Sequence, residues 1–380
     1  MDKVQIKDVA TIVNGSTPST KKPEYWDGDI PWITPKDLSS NHMRFVSRGE
    51  RNITDEGYKS CSTTLLPKDT VLLTSRAPIG YLAIASCPMC TNQGFKSLIC
   101  NQDKILPLYI YYWLSTRVNY LKGISTGATF KELSKSTLEN VEIELPTISE
   151  QQHIVGVIGS VDDLIEKEEQ ILESIIKLID GIYSRCEEGK RKIPLRQAFQ
   201  ISIGRTPPTK ESQWFSDSEQ NSMSWLSIKD MDTSKIYQME TSQFLTSNAI
   251  EHFNIPIVKA GDVLLSFKLT VGRVLIAGRD MVTNEAIACF KGPAVLRNYL
   301  YCFLKRCDFL SEGEDTSSIG HAVNSTIIKN FLFPMPSQET LKRFNDKTAP
   351  LFDKTLETQK EVEKLNGVKK ALLHRYFGSN

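Results

Sequence analysis

Hydrophobic residues between positions 149 and 182 recur at alternating spacings of four and three, which is the pattern of a heptad repeat. The seam consists of Ile154, Ile158, Val161, Ile165, Glu168, Leu172, Ile175, Ile179 and Ile182. Pro146 precedes this segment, and Ser149 followed by Gln152 fits a capping box at a helix start. The pattern predicts a helix of roughly 50 Å. A rod of that length needs a second long helix to cover its apolar side.

A second segment, near the C-terminus, repeats the spacing less completely. Its seam consists of Phe344, Thr348, Leu351, Thr355, Thr358, Val362, Leu365, Lys369, Leu372 and Tyr376, and Pro350 interrupts it early. Residues 148–190 hold ten acidic and four basic side chains, whereas residues 337–380 hold six acidic and nine basic ones. Opposite net charge favours pairing these two helices with each other. We expect the coiled-coil seam to contain Ile158, Val161, Ile165, Leu172, Ile175, Ile179, Leu351, Val362, Leu365 and Leu372.

Residues 1–145 combine short strand patterns with turn signals. Strands are predicted at Ile12-Val13 and in residues 32–34, 71–75 and 81–85, and a helical pattern over residues 108–121 predicts one or two helices. Strand and helix signals in this order indicate an α+β domain.

The same signals return about 190 residues later. Gly15-x-Thr17-Pro18 corresponds to Gly204-x-Thr206-Pro207, and the tryptophan and lysine of residues 32–37 and the apolar run of residues 71–73 recur at 225–230 and 263–265. We predict a tandem duplication with globules at 1–147 and 191–336, a central helix at 148–190 and a C-terminal helix at 337–380. In this α+β architecture two similar β-rich domains are separated by a pair of long antiparallel coiled-coil helices and related by a pseudo-twofold axis.

No catalytic motif stands out in the sequence. Phosphate-binding loops, dinucleotide fingerprints, zinc-protease motifs and nucleophile elbows are absent from it. Cys87 and Cys90 have the spacing of half a zinc site, but buried thiols are the favoured interpretation because a structural zinc needs four ligands. We therefore expect no catalytic residue, no metal site and no cofactor in this chain.

Cysteine content and hydropathy predict a cytoplasmic protein. Eight cysteines in 380 residues are too sparse for a disulfide framework and suit a reducing compartment. The sequence shows neither a secretory signal nor an apolar run long enough to span a membrane.

Binding to double-stranded DNA explains the recurring polar positions better than catalysis does. Lysine and arginine suit phosphates and guanine, asparagine and glutamine suit adenine, and small loop residues allow the backbone to approach phosphates. Solvated surface charges and structural turns are the alternative for each residue. The candidate DNA-binding residues are Lys36, Arg76, Asn92, Gln93, Lys96, Thr129, Lys131, Lys229, Lys268, Asn284, His321 and Asn324.

Four tryptophans recur in the two copies, at positions 26, 32, 214 and 225. They are expected to fill the cores of the globules rather than to stack on bases.

The ordered set of motifs resembles the specificity subunits of Type I restriction-modification systems. It comprises the Gly-x-Thr-Pro turns, the Trp-Ile-Thr-Pro-Lys-Asp segment (32–37), the Gly-Asp-Val-Leu-Leu-Ser run (261–266) and the Pro-x-x-x-Glu-Gln-Gln helix start (146–152). The resemblance covers essentially the whole chain. The second helix start departs from it, because Glu339 is followed by threonine rather than by two glutamines.

This resemblance implies a non-catalytic subunit in which each globule is a target-recognition domain for one half of a split DNA site. It implies that the helices set the gap and dock two modification (methyltransferase) subunits, which carry S-adenosylmethionine, and it leaves open whether a restriction subunit joins. Because Gln93-Gly94-Phe95-Lys96 corresponds to Glu285-Ala286-Ile287-Ala288, the two half-sites should differ. The alternatives are a coiled-coil protein-interaction scaffold without sequence-specific DNA binding and, less favoured, an unaided nuclease.

Overall fold

The computed structural model describes residues 2–39, 43–127, 131–186, 189, 191–310, 314–316 and 320–378. Side chains are not described for residues 2, 314–316 and 320–322. The chain divides into two units, Met1–Lys167 with Lys364–Asn380, and Glu168–Glu363. Two long helices, α7 (Ile148–Ser184) and α12 (Gln338–Phe377), contribute residues to both units. No described helix combines the length and the apolar character that a membrane crossing requires.

The first unit is an α+β domain in which the described residues form ten strands and, before α7, six short α-helices. Its strands are β1 (Asp2–Gln5), β2 (Ala10–Asn14), β3 (Trp26–Ile33), β4 (Phe45–Val46), β5 (Arg51–Ile53), β6 (Val71–Ser75), β7 (Ile79–Ala85), β8 (Cys90–Thr91), β9 (Phe95–Cys100) and β10 (Glu142–Leu145). Its helices before α7 are α1 (Ile6–Val9), α2 (Pro35–Ser39), α3 (Asp55–Lys59), α4 (Pro107–Thr116), α5 (Val118–Ile124) and α6 (Lys135–Glu139). The sheets run β2-β9-β6-β7-β4, β5-β3-β8 and β1-β10.

The second unit repeats this architecture. Its strands are β11 (Arg191–Pro194), β12 (Gln200–Ile203), β13 (Phe215–Ser216), β14 (Ser222–Leu226), β15 (Tyr237–Gln238), β16 (Gln243–Thr246), β17 (Ile257–Val258), β18 (Val263–Ser266), β19 (Val274–Ala277), β20 (Met281–Thr283), β21 (Ile287–Lys291), β22 (Glu314–Thr316), β23 (Gly320–Ala322) and β24 (Leu332–Met335). Its short helices are α8 (Leu195–Ala198), α9 (Ser247–His252), α10 (Ala294–Leu304) and α11 (Ser325–Asn330).

Sheet topology confirms the duplication. The order β12-β21-β18-β19-β15 in the second unit matches β2-β9-β6-β7-β4 in the first, strand for strand. In both units the tryptophan-bearing strand pairs in parallel with a short strand, β3 with β8 and β14 with β20. Each of these short strands ends just before one of the predicted asparagines, Asn92 or Asn284. The predicted strands are all present, and the helical pattern predicted over residues 108–121 forms two helices, α4 and α5, which are separated at Arg117.

Burial along α7 and α12 follows the predicted seams. Ile158, Ile165, Leu172, Ile179 and Val362 are buried, and the remaining predicted seam residues, Val161, Ile175, Leu351, Leu365 and Leu372, are partly buried. In the first unit Ile154 and Ile158 pack with Phe377 in the core of the domain, and in the second unit Ile179 packs with Phe344 and Phe352. In each unit the seam residues therefore pack against the core of that unit's domain as well as against the other helix.

Antiparallel pairing of the helices is visible within the first unit. The rings of His153 and Tyr376 lie 6.4 Å apart, and farther along α7 the carboxylate of Asp162 lies 2.6 Å from the ammonium of Lys369. Asp162 therefore carries a charge that pairs across the two helices in the first unit. Pro350 lies within α12 without ending it, contrary to the expected interruption.

The start of α7 differs from the predicted capping box. Thr147 and Glu150 form the reciprocal bonds, with the Thr147 backbone N–H donating to Glu150 at 2.9 Å and the Glu150 N–H donating to the Thr147 hydroxyl at 3.3 Å. Ser149 and Gln152 are exposed. The neighbouring Gln151 is fully buried and bonds the backbones of residues 104, 106 and 146. The Glu-Gln-Gln run thus caps the helix and ties it to its domain.

A buried polar cluster joins the first domain to α7. Arg44 donates to Glu166 at 3.0 Å, forms an ion pair with Asp163 and lies 3.3 Å from the hydroxyl of Tyr112. That hydroxyl in turn donates to Asp162 at 2.7 Å. The side chains of Arg44 and Asp162 are 6% and 3% exposed and that of Glu166 is 14% exposed, whereas Asp163 lies at the surface.

Candidate nucleic-acid interface

The Gly-x-Thr-Pro turn of the first domain packs directly on the loop between β8 and β9. A Cβ atom on Gly15 would lie 2.1 Å from the backbone oxygen of Asn92 and 2.3 Å from that of Thr91, so only glycine fits. The N–H of Ser16 donates to Thr91 at 3.0 Å, and the Thr17 hydroxyl hydrogen-bonds the Gln93 side chain. This packing places the turn and the side chain of residue 93 at one end of the sheet.

The second domain builds the same turn. A Cβ atom on Gly204 would lie 2.1 Å from the oxygen of Thr283, and the N–H of Arg205 donates to Thr283 at 2.9 Å. The Thr206 hydroxyl hydrogen-bonds the carboxylate of Glu285. Residue 285 was not among the predicted site residues. Its correspondence with Gln93 in the repeat was the signal that could have identified it.

Two of the three predicted asparagines, Asn92 and Asn284, shape the loop itself. The side-chain oxygen of Asn92 accepts the N–H of Gly94 at 2.8 Å, and that of Asn284 accepts the N–H of Ala286 at 3.1 Å. Their own N–H groups donate to Ile33 and Leu226, each at 3.0 Å. Asparagine recurs at these positions because the turn needs a short side-chain acceptor.

Basic side chains surround this loop in the first domain. Lys96 is 8% exposed and lies 3.5 Å from Glu132, which also lies 3.9 Å from the half-buried Arg76. Lys36, exposed on α2, pairs with Glu50 at 2.7 Å, and this hydrogen bond raises the pKa of Lys36. Arg76 and Lys36 can reach a phosphate, whereas Lys96 is largely enclosed by its own domain.

Thr126 and Glu132 pair through two backbone hydrogen bonds at the same end of the sheet. Leu133 donates its N–H to Ser75 at 2.9 Å, so the chain from Glu132 to Leu133 lies beside Arg76. The Lys131 ammonium donates to the backbone of Lys122 at 3.4 Å. Thr129 lies outside the described residues.

The corresponding region of the second domain is more exposed. The Phe267 N–H donates to the Ala286 oxygen at 2.9 Å, as the Ser75 N–H does to Gly94 at 2.7 Å, so Lys268 occupies the place of Arg76. Lys268 and Lys229 are both exposed, and the neighbouring Leu269 is 94% exposed.

The remaining two predicted residues follow α10. Asn324 caps α11, with its side-chain oxygen accepting two backbone N–H groups at 2.9 and 3.0 Å. Ser134 has the same capping role at the start of α6 in the first domain. His321 lies on β23, and its side chain is outside the described part of the structure.

Three of the four recurring tryptophans are core residues, as predicted. Trp26, Trp32 and Trp225 are 4 to 6% exposed, and the first two rings meet edge to face at 5.0 Å. Trp214 is half-buried and stacks on His252 at 5.2 Å.

The thiol of Cys90 is fully buried, and burial raises its pKa to about 11. Among the residues that the structure describes, no group of three or more potential metal ligands comes together.

Comparisons with known proteins identify this architecture. The family model of the Type I restriction modification DNA specificity domain matches residues 1–177 and again residues 187–366. The Type I restriction enzyme MjaIX specificity subunit of Methanocaldococcus jannaschii is 34% identical over 409 residues, which cover 98% of this chain and 91% of that protein. The EcoR124I/EcoR124II specificity subunit of Escherichia coli is 32% identical over 164 residues, or 41% of this chain and 40% of that protein.

A solved structure shows the same fold. The crystal structure of a Type-I restriction-modification system S subunit from M. genitalium aligns with 100% of this chain and 96% of its own, at a TM-score of 0.60 and 14% identity. Two copies of one α+β domain, each with the same turn packed on the same loop, define a duplicated recognition protein. The chain belongs to the family of Type I restriction-modification specificity subunits. This membership favours DNA specificity over the scaffold alternative.

Proposed function

We propose that each domain reads one half of a bipartite, asymmetric DNA site, and that α7 and α12 set the gap between the halves. The observation that carries this proposal is the pairing of equivalent backbone frameworks with different side chains. The threonine of the turn, the asparagine of the loop and the N–H after the turn glycine make equivalent hydrogen bonds in both domains, yet Gln93 is replaced by Glu285 and Arg76 by Lys268. Two equal frames with unequal side chains suit two different half-sites.

The proposed partners are double-stranded DNA and two modification (methyltransferase) subunits, with a restriction subunit joining in a complete restriction system. We assign no catalytic step and no cofactor to this chain, and we place S-adenosylmethionine on the methyltransferase subunit. Membership in the specificity family supports this division of labour. The cytoplasm, where cellular DNA and the partner subunits meet, is the proposed location.

Mapping of methylated adenines tests the proposal. The chain is reconstituted with its cognate modification subunit, and the modified positions of a genomic DNA are read by sequencing. We expect a split motif with two different halves and a fixed gap, and no methylation by the chain alone. An uninterrupted short motif, or methylation that survives deletion of residues 191–336, would contradict the proposal.

Salt titration tests the basic residues beside the loops. In the reconstituted complex, Arg76→Ala and Lys268→Ala should each weaken binding to the cognate duplex. Each should also lower the slope of log K against log salt by about one, because a phosphate contact releases about one counterion. Lys104→Ala is the matched control, since Lys104 bonds the backbone of Asp8 near the opposite end of β2. Unchanged affinity and slope for both variants would assign these residues to the solvated surface.

A further inference from the structure

Gln93 in the first domain and Glu285 in the second occupy equivalent backbone positions but carry different side chains. Gln93 and Glu285 both follow the asparagine that shapes the loop, and both are exposed. Each also accepts a hydrogen bond from the threonine of its Gly-x-Thr-Pro turn, Thr17 or Thr206. The two side chains therefore leave the same backbone in the same way and differ only in being an amide or a carboxylate.

The surroundings of Glu285 form an open cleft on the second domain. The cleft has a volume of about 580 Å³ and is lined by Arg205, Thr206, Pro207, Thr209, Phe253 and Glu285. The guanidinium of Arg205 donates to the backbone oxygen of Phe253 at 2.6 Å, which fixes a positive charge in the same cleft as the carboxylate. A nucleic-acid edge that enters this cleft meets an acceptor and a cation held in defined positions.

A carboxylate at a DNA surface needs a specific donor. Phosphates repel it, and it can accept hydrogen bonds but cannot donate them when ionised. The cytosine N4 amino group in the major groove is the donor that glutamate and aspartate accept from, whereas a glutamine amide donates to N7 and accepts from N6 of adenine. Thr206 bonds Oε2 of Glu285, and a carboxylate retains further acceptor positions on both oxygens.

We propose that residues 93 and 285 are equivalent base-selecting positions, with Gln93 selecting adenine in one half-site and Glu285 selecting cytosine in the other. This inference rests on the proposed function, because it requires that each domain reads its own half-site. It adds the base class and the single residue that decides it.

Reciprocal substitutions test the assignment. Glu285→Gln and Gln93→Glu are prepared in the full chain, assembled with the cognate modification subunit, and assayed for methylation on a duplex library randomised across both half-sites. Glu285→Gln should change one position of one half-site from cytosine to adenine, with about a tenfold loss on the original sequence, as expected for one good base contact. Gln93→Glu should produce the opposite change in the other half-site. Asp217→Asn, which removes an exposed charge between β13 and β14, should leave the motif unchanged.

The outcomes separate this inference from the proposed function. A wild-type motif that is split and asymmetric, together with unchanged motifs in both variants, would overturn the base assignment and leave the proposed function standing. A change in both half-sites from a single substitution would also overturn it. A wild-type complex that shows no split motif would contradict the proposed function itself.

Discussion

Replacement of Arg44 by methionine should destabilise the first unit by about 3–5 kcal/mol, because it leaves buried carboxylates without their partner. Asp162 is 3% exposed and Glu166 is 14% exposed, so water can solvate neither carboxylate fully once the guanidinium is removed. Methionine fills most of the vacated volume, and the expected loss is therefore electrostatic rather than a cavity effect.

The pKa shifts of Arg44 and Glu166 agree with an electrostatic loss of stability. Burial acts to lower the pKa of Arg44, but hydrogen bonds to Glu166 and Asp163 outweigh it and raise the pKa above its ordinary value. Burial acts to raise the pKa of Glu166, and the bonds from Arg44 outweigh it in the opposite direction. Both shifts favour the charged forms of Arg44 and Glu166 in the folded state. Lys369, 2.6 Å from Asp162, offsets only part of the negative charge left by the substitution.

Hydrogen exchange in the full chain measures the effect locally. Arg44→Met should accelerate exchange in α4 and in the part of α7 before residue 168, with little change in residues 168–363. Arg48→Met is the matched control, because Arg48 is exposed four residues away and its loss should change protection by about 0.5 kcal/mol or less. Equal protection in Arg44→Met and Arg48→Met would contradict the buried-charge account.

The sequence predicted the long helices well because heptad spacing is a local signal. Every predicted seam position is buried or partly buried. The polar cluster could not be predicted this way, since Arg44 and Glu166 are 122 residues apart and neither residue follows a periodic pattern. The predicted capping box, Ser149 with Gln152, begins two residues after the observed one, Thr147 with Glu150. Several hydroxyl, carboxylate and carboxamide side chains in residues 147–152 could form such a box, and only the packing of the folded chain selects between them.

Candidate binding residues were chosen because they recur in both domains, and this criterion favoured residues that hold the turns. Asn92, Asn284 and Asn324 each accept backbone N–H groups, so their recurrence has a structural cause. Selectivity requires the opposite property, a position equivalent in backbone and different in side chain. Gln93 and Glu285 meet that condition, and their difference is visible in the sequence once the repeat has been aligned.

The junction between domain and helix shows how far the two copies have diverged. Phe45 and Tyr237 occupy equivalent places, because each pairs with the second strand of a hairpin, Phe45 with β7 and Tyr237 with β19. Arg44 therefore corresponds to Ile236. With the helix starts aligned at Pro146 and Pro336, Asp162 and Glu166 correspond to Phe352 and Leu356. Ile236, Phe352 and Leu356 belong to one hydrophobic cluster. A charged junction in the first unit is thus replaced by an apolar one in the second.

This divergence supplies a rescue of the first variant. The triple variant R44I/D162F/E166L carries the residues of the second copy, and apolar replacement of a buried ion cluster is often neutral or stabilising. It should recover most of the protection lost in Arg44→Met. A triple variant less protected than Arg44→Met would show that the two junctions are not interchangeable in shape.

Truncation of Phe352 to alanine should destabilise the second unit by about 3–5 kcal/mol, as expected for a large aromatic side chain removed from a packed core. Phe352 is 1% exposed and its ring meets that of Tyr301 at 5.7 Å. A hydrogen-bonded backbone flanks the site, because Gln359 bonds both the N–H and the oxygen of Tyr237, at 3.1 and 3.0 Å. The cavity therefore has little freedom to collapse, which places the expected loss at the upper end of the range.

The same exchange measurement checks this prediction with the opposite localisation. Phe352→Ala should accelerate exchange in β15, α10 and the part of α12 before residue 364, while residues 2–167 keep their protection. Leu332→Ala is the control, since Leu332 is 53% exposed and its truncation should cost about 0.5 kcal/mol or less. Equal acceleration of exchange in residues 2–167 and 168–363 would contradict this prediction. It would show that the two units unfold together, so that the stability of each domain does not depend on its own junction with the helices.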